Sequence, residues 1–170
     1  MSILLFLQKK IQISLLFLIL IFLSPIANTN GLIISEFMAS NSHTLQDEDG
    51  DWSDWIEIYN PSGVDVNLLN CSITDNDDSP DKWRFPGVIV SSNSYLVIFA
   101  SGKDRKTEGG NLHTNFKLSA SGEYLGLYQP DGVLAYSLGS SFPEQYGDIS
   151  FGDFEGTLIY FATSTPGSAN

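Results

Sequence analysis

Beyond residue 27 no stretch of this chain keeps an apolar stripe at helical period for three turns, and that confines the fold to strands. In place of helices stand short runs rich in β-branched and aromatic residues, cut by Gly, Pro, Asn or Asp roughly every ten residues. The run Asp54 to Asn60 shows the pattern best. Ile56 and Ile58 alternate with Trp55, Glu57 and Tyr59 before Asn60-Pro-Ser-Gly63 stops the strand, which predicts one buried face. Gln129-Pro-Asp-Gly132 joins Glu123–Tyr128 to Val133–Leu138. Pro130 and Asp131 suit the centre of a type I turn, and Gly132 suits the left-handed position after it. Many short strands with such turns predict an all-β fold, an antiparallel β-sandwich.

Further strands are expected at Leu32–Met38, Trp83–Phe85, Gly87–Val90, Tyr95–Ala100, Leu112–Leu118, Tyr146–Gly152 and Thr157–Phe161. Val64, Val66 and Leu68 alternate in one phase and Leu69, Cys71 and Ile73 in the next, which predicts a bulge or a bend near Leu68-Leu69. Residues 101–111 read as a surface excursion and Thr163–Asn170 as a polar tail. The expected core takes Trp55 or Ile56, with Ile58, Trp83, Phe85, Leu96, Ile98 and Leu125. Cys71 belongs with it as a small buried residue and not as a nucleophile.

Residues 1–27 differ from everything after them. Lys9 and Lys10 precede the apolar run Ile11–Leu23, then Ser24-Pro25 and small residues follow, as in a secretory signal peptide. The apolar run is shorter than the ~20 residues a membrane span needs. The expectation is therefore one exported domain over residues 28–170, secreted or at the cell surface, monomeric, and free of the membrane after cleavage. Removing the leader takes away two lysines and no acid, which moves the formal charge from −12 to −14. Such a chain is a poor partner for nucleic acid, because phosphate backbones are held by clustered Lys and Arg. The one local basic cluster, Lys103, Arg105 and Lys106, is interrupted by Asp104. A single cysteine excludes an internal disulfide, so stability must come from the core.

Acids crowd around Gly50. Asp47, Asp49, Asp51 and Asp54 are a candidate calcium site, with Asp75, Asp77 or Asp78 from a second acidic loop as further ligands, since calcium takes six to eight hard oxygens in a flexible shell. The spacing is not that of an EF-hand: Gly50 falls at the fourth position from Asp47, and Ile58 stands where the bidentate glutamate belongs. A solvated acidic turn is the simpler alternative, and no cofactor is required. Trp52 lies in the acidic loop outside the alternating strand, which makes it a candidate carbohydrate-binding aromatic. His43 and His113 are isolated in sequence and read as surface or strand-edge residues. No catalytic residue is assigned, because the chain contains no His-Glu-x-x-His, Cys-x-x-Cys or Gly-x-Ser-x-Gly motif. A carboxylate-based hydrolase is kept as the enzymatic alternative.

Taken in order, Ile34-Ser-Glu-Phe-Met-Ala-Ser-Asn41, Asp54-Trp-Ile-Glu-Ile-Tyr-Asn-Pro61, Trp83-Arg-Phe-Pro86, Phe99-Ala-Ser-Gly-Lys-Asp104, Leu112-His-Thr-Asn-Phe-Lys-Leu118, Gly122-Glu123 and Thr165-Pro-Gly167 resemble the lamin tail domain family in its secreted bacterial form. The resemblance implies an immunoglobulin-like sandwich and a non-catalytic interaction or targeting module, whose partner is a protein or a cell-surface polysaccharide. The alternatives are an accessory carbohydrate-binding domain, which the aromatics suggest, or a piece of a larger secreted hydrolase, which the resemblance implies.

Overall fold

The computed structural model describes residues 31–107 and 109–170, and the leader expected over residues 1–27 lies outside them. Among the described residues there are strands and no helix. One sheet has six strands in the order β12 (Thr157–Phe161), β11 (Ser150–Phe154), β1 (Ile33–Met38), β2 (Asp54–Asn60), β7 (Ser94–Ala100) and β8 (Leu112–His113). A second has four, in the order β10 (Leu134–Ser137), β9 (Gly126–Tyr128), β4 (Ser72–Thr74) and β5 (Trp83–Arg84), while β3 (Val66–Asn67) pairs with β6 (Ile89–Val90). This is an all-β, immunoglobulin-like sandwich.

The core follows from the alternation. Ile34 and Phe37 of β1, Ile56 and Ile58 of β2 and Ile98 of β7 turn inward to meet Ile73, Trp83, Phe85, Leu125 and Leu127 in one buried cluster. Leu96 packs against it while partly exposed, and Cys71 is buried within it. The Gln129–Gly132 turn closes as expected: Gly132 N–H donates to the Gln129 carbonyl at 2.9 Å with φ at +84°. Gly152 is needed for a different reason. β11 passes so close to β1 that a Cβ there would overlap the Ser35 carbonyl and sit 2.8 Å from Glu36 Cα.

Not every expectation holds in full. β2 buries both faces: Trp55 joins Met38 and Phe99 in a small cluster on the outer side, and Glu57 is fully buried beside them. That side is covered by the 101–113 segment at one end and by the C-terminal tail in the middle. The phase shift near Leu68 is the bend of the two alternatives, made by a tight turn. Cys71 N–H donates to the Leu68 carbonyl, Asn70 takes φ +64°, and Leu69 is thrown outward. β8 lies parallel to β7, because the 101–111 excursion is long enough to bring the chain back in the same direction. His113 lies on the edge strand β8, the second of the two places expected for it, but is buried there.

Candidate functional site

The acidic loop is built on Asp47. Its Oδ1 accepts the N–H groups of Asp49 and Asp51, each at 3.0 Å, and its Oδ2 accepts the Ser53 hydroxyl at 2.8 Å. Gly50, at φ +82°, closes the turn by donating to the Asp47 carbonyl. This folding draws Asp47, Asp49 and Asp51 together, with one carboxylate oxygen of each within 4.8 Å of the others. Asp54 is not in that group: its Oδ1 accepts the Asn41 N–H at 3.2 Å. Asp75 belongs elsewhere too, paired with Lys82 at 2.6 Å.

A lysine fills the centre of the three carboxylates. Lys103 Nζ lies 2.6 Å from Asp47, 2.7 Å from Asp49 and 2.9 Å from Asp51. Arg105 adds contacts to Glu48 at 2.9 Å and to Asp49 at 2.6 Å. The acidic turn is thus an ion-paired junction with the 101–113 segment, in which Lys103 and Arg105 offset part of the charge of four acids, Asp47 being buried while Glu48, Asp49 and Asp51 stay exposed, and a dication would compete with the Lys103 ammonium. The cations also favour the ionised carboxylates. Arg105 and Lys103 hold the Asp49 carboxyl well below the usual range. Burial pushes Asp47 up, but Lys103, Ser53 and the turn N–H groups prevail and hold it low.

Beneath the junction lies a relay of hydroxyl, imidazole and carboxylate. Ser101 Oγ is 2.8 Å from His113 Nδ1, and the Glu48 oxygens are 2.9 and 3.0 Å from Nε2. Burial works against ionisation of Glu48, yet the contacts with His113, Asn111 and Arg105 bring it down to about 2. The ionised carboxylate only accepts, so Nε2 carries a proton, and in the neutral ring Nδ1 accepts the Ser101 O–H. The order of groups is that of a serine hydrolase, but the backbone N–H groups next to Ser101 that could serve as oxyanion donors are engaged elsewhere. The N–H groups of Gly102 and Asp104 donate to Phe116 and Thr114 carbonyls, and that of Lys103 donates to Ser101 Oγ itself. The relay's evident work is to anchor the loop, with the His113 ring stacked on Phe99 at 5.2 Å.

Beside the junction is a polar hollow of about 420 Å³, lined by Trp52, Asp54, Ser101, Lys103 and Lys117 among others. Trp52 is 41% exposed, with its ring 5.9 Å from that of His43, whereas Trp55 and Trp83 are buried. Burial pushes the Asp54 carboxyl up to about 6 despite the Asn41 hydrogen bond and the nearby Lys117 charge. Lys117 is exposed and forms no ion pair among the described residues. Lys103, Lys117, Glu48 and Ser101 were not legible as site residues. The signal available in sequence was that residues 103–106 hold the only basic cluster in an acidic chain.

On the outer face of the large sheet, Glu36 and Glu57 stand opposite each other across β1 and β2. The tail crosses them: Thr165 donates its N–H and hydroxyl to Glu36, and Gly167 donates its N–H to Glu57 at 2.6 Å. Asn170 Nδ2 then reaches the carbonyls of Ser35 and Asp153 at 2.9 and 2.8 Å. The polar tail expected over Thr163–Asn170 is thereby tied to buried carboxylates.

A two-layer sandwich with loops pinned by buried polar contacts defines an immunoglobulin-like domain. Its family is given by the sequence match: the chain belongs to the Lamin Tail Domain family, whose model covers residues 25–141. That domain is a non-enzymatic interaction module. No curated protein matches the chain.

Proposed function

We propose that this protein is a non-catalytic binding module, exported to the cell surface or extracellular space, that takes polysaccharide at the Trp52 hollow. One observation carries the reading. Of three tryptophans, two are sealed in the sandwich, while Trp52 stands exposed at a polar concavity. Sugar rings offer exactly the two surfaces this site answers: an apolar C–H face for the indole, and hydroxyls for the Asp54 carboxyl, the Ser101 region and the Lys117 ammonium. Among the described residues the second Asp54 oxygen accepts no hydrogen bond and Lys117 forms no ion pair. Within a longer secreted hydrolase the same site would hold the enzyme on its polymer. Calcium at Asp47, Asp49 and Asp51 is a separate proposal, in which the ion competes with Lys103.

Affinity electrophoresis through gels containing soluble polysaccharides tests the reading. Retardation by at least one polymer is expected, with loss on Trp52→Ala and Lys117→Met at unchanged melting temperature. Equal retardation of parent and Trp52→Ala would overturn the assignment of the site. Turnover of a glycan that disappears on changing one acidic residue would favour the hydrolase.

A further inference from the structure

A second cleft lies at the other end of the β2 and β7 strands, five residues along from Asp54 and so roughly 17 Å from the Trp52 hollow by strand rise. Tyr59 and Tyr95 stand opposite each other there and stack at 4.5 Å with an 18° tilt. Across from them, the turn joining β11 to β12 brings Asp153, Phe154 and Glu155 to the rim, with Phe154 exposed. The wall is the tail, fixed by the two hydrogen bonds from Asn170 to Ser35 and Asp153. The cleft is open to solvent and has a volume of about 220 Å³. That is below the ~300 Å³ at which pockets for drug-sized ligands begin, so the cleft suits one small head group and not an extended ligand.

The charge around this cleft has one sign. Its lining includes two carboxylates and no cation. More broadly, there is no Lys or Arg between residues 31 and 81 or between 118 and 170, so β1, β2, β11 and the tail carry none, and neither does β7. Asp153 uses Oδ1 to accept the Gly156 N–H, which leaves Oδ2 available, and Glu155 forms no ion pair among the described residues. Burial, with Tyr59 and Glu57 adding to it, raises the Tyr95 phenol above its ordinary value, so the ring stays neutral and electron-rich. Three aromatic rings beside two carboxylates form the environment that attracts an organic cation. The ring faces and the acids both favour positive charge, and an anion finds no donor with a charge to meet it.

We infer that the cleft formed by Tyr59, Tyr95, Phe154, Asp153 and Glu155 binds an organic ammonium group. The shared chemistry is a positive nitrogen bearing apolar substituents, either quaternary as in a choline head group or primary as in a lysine side chain. Sodium lacks the apolar shell that would exclude water from the rings, so simple salts do not substitute. This site is independent of the polysaccharide reading, since the two hollows share no residue.

Titration of the isotopically labelled protein by NMR at constant ionic strength tests it, with choline chloride in one arm and an Nα-acetyl-lysine amide in the other. 3,3-Dimethylbutanol, the neutral isostere of choline, is the control. At least one cation is expected to shift the resonances of Tyr59, Tyr95 and residues 153–156 in a saturable way, and the arm with the tighter binding names the source. Asp153→Asn keeps the acceptor for Gly156, and Glu155→Gln lies in an exposed turn, so the double variant keeps the fold. It should bind the cation about tenfold more weakly. Equal binding of dimethylbutanol, shifts at other residues, no shift with either cation, or unchanged affinity in the double variant would each overturn the inference.

Discussion

Replacing Lys103 with methionine keeps the length of the side chain and removes the charge at the centre of the junction. The energetic consequence is set by Asp47, whose side chain is fully buried with its ammonium partner at 2.6 Å. Breaking a buried ion pair from one side costs about 3–5 kcal/mol, because a charge is left without compensation. Here the cost is lower. Asp47 keeps two N–H donors and the Ser53 hydroxyl, and the Lys103 side chain is itself 21% exposed. About 2–3 kcal/mol is therefore expected, or roughly 5–10 °C in melting temperature for a domain of this size. The pH dependence is a second signature. The Asp47 pKa is held below 3.8, so its stabilisation is present above that value and is lost as pH falls through the folded one. Urea unfolding of parent and variant should differ at neutral pH and converge in acid. The variant also opens three carboxylates to a dication without competition from the ammonium, so millimolar calcium should raise its melting temperature by more than it raises the parent's. A neutral-pH difference below about 0.5 kcal/mol would refute the junction as a source of stability.

Glu57 gives the opposite sign. Burial chiefly, with Glu36 adding to it, pushes this carboxyl from 4.5 up to about 7 against the donors Ser35 and Gly167. Its contribution is present below 4.5 and lost as pH rises through 7, so Glu57→Gln should gain about 2 kcal/mol on the parent between about pH 4 and about pH 8, measured by urea unfolding. Gly152→Ala should cost about 2 kcal/mol or more through its clash with β1, whereas Gly63→Ala, with nothing within 4 Å of the added Cβ, should stay near zero in the same assay. Cys71 is buried and its thiol is pushed up to about 11, so alkylation should follow global unfolding; rapid labelling of the native protein would contradict that burial.

What the sequence disclosed was local. Ile56 and Ile58 alternate because β2 is extended, and the Pro130-Asp-Gly132 turn carries its own φ requirements, so both were legible without knowing the rest of the chain. What it concealed was non-local. Lys103 meets Asp47 across 56 positions, His113 meets Glu48 across 65, and Thr165 meets Glu36 across 129. Nothing in the spacing of an acidic turn tells whether water, calcium or a distant lysine will neutralise it. Glu57 was read as facing outward because alternation assigns faces and not what covers them. The neighbouring Trp55 and Tyr59 on that face were the available hint that it would be covered. Trp52 differs in being unpaired with any strand period, and it is the one tryptophan the structure leaves exposed.

That difference makes the central claim directly measurable. Trp55 and Trp83 are shielded from solvent, so a change in tryptophan emission on adding a soluble oligosaccharide reports on Trp52. Fluorescence titration with oligosaccharides from a polymer that retards the protein should give a saturable blue shift in the parent and none in Trp52→Phe, with both proteins unfolding at the same temperature. A polymer that retards the protein while Trp52 emission stays unchanged at saturation would contradict the account.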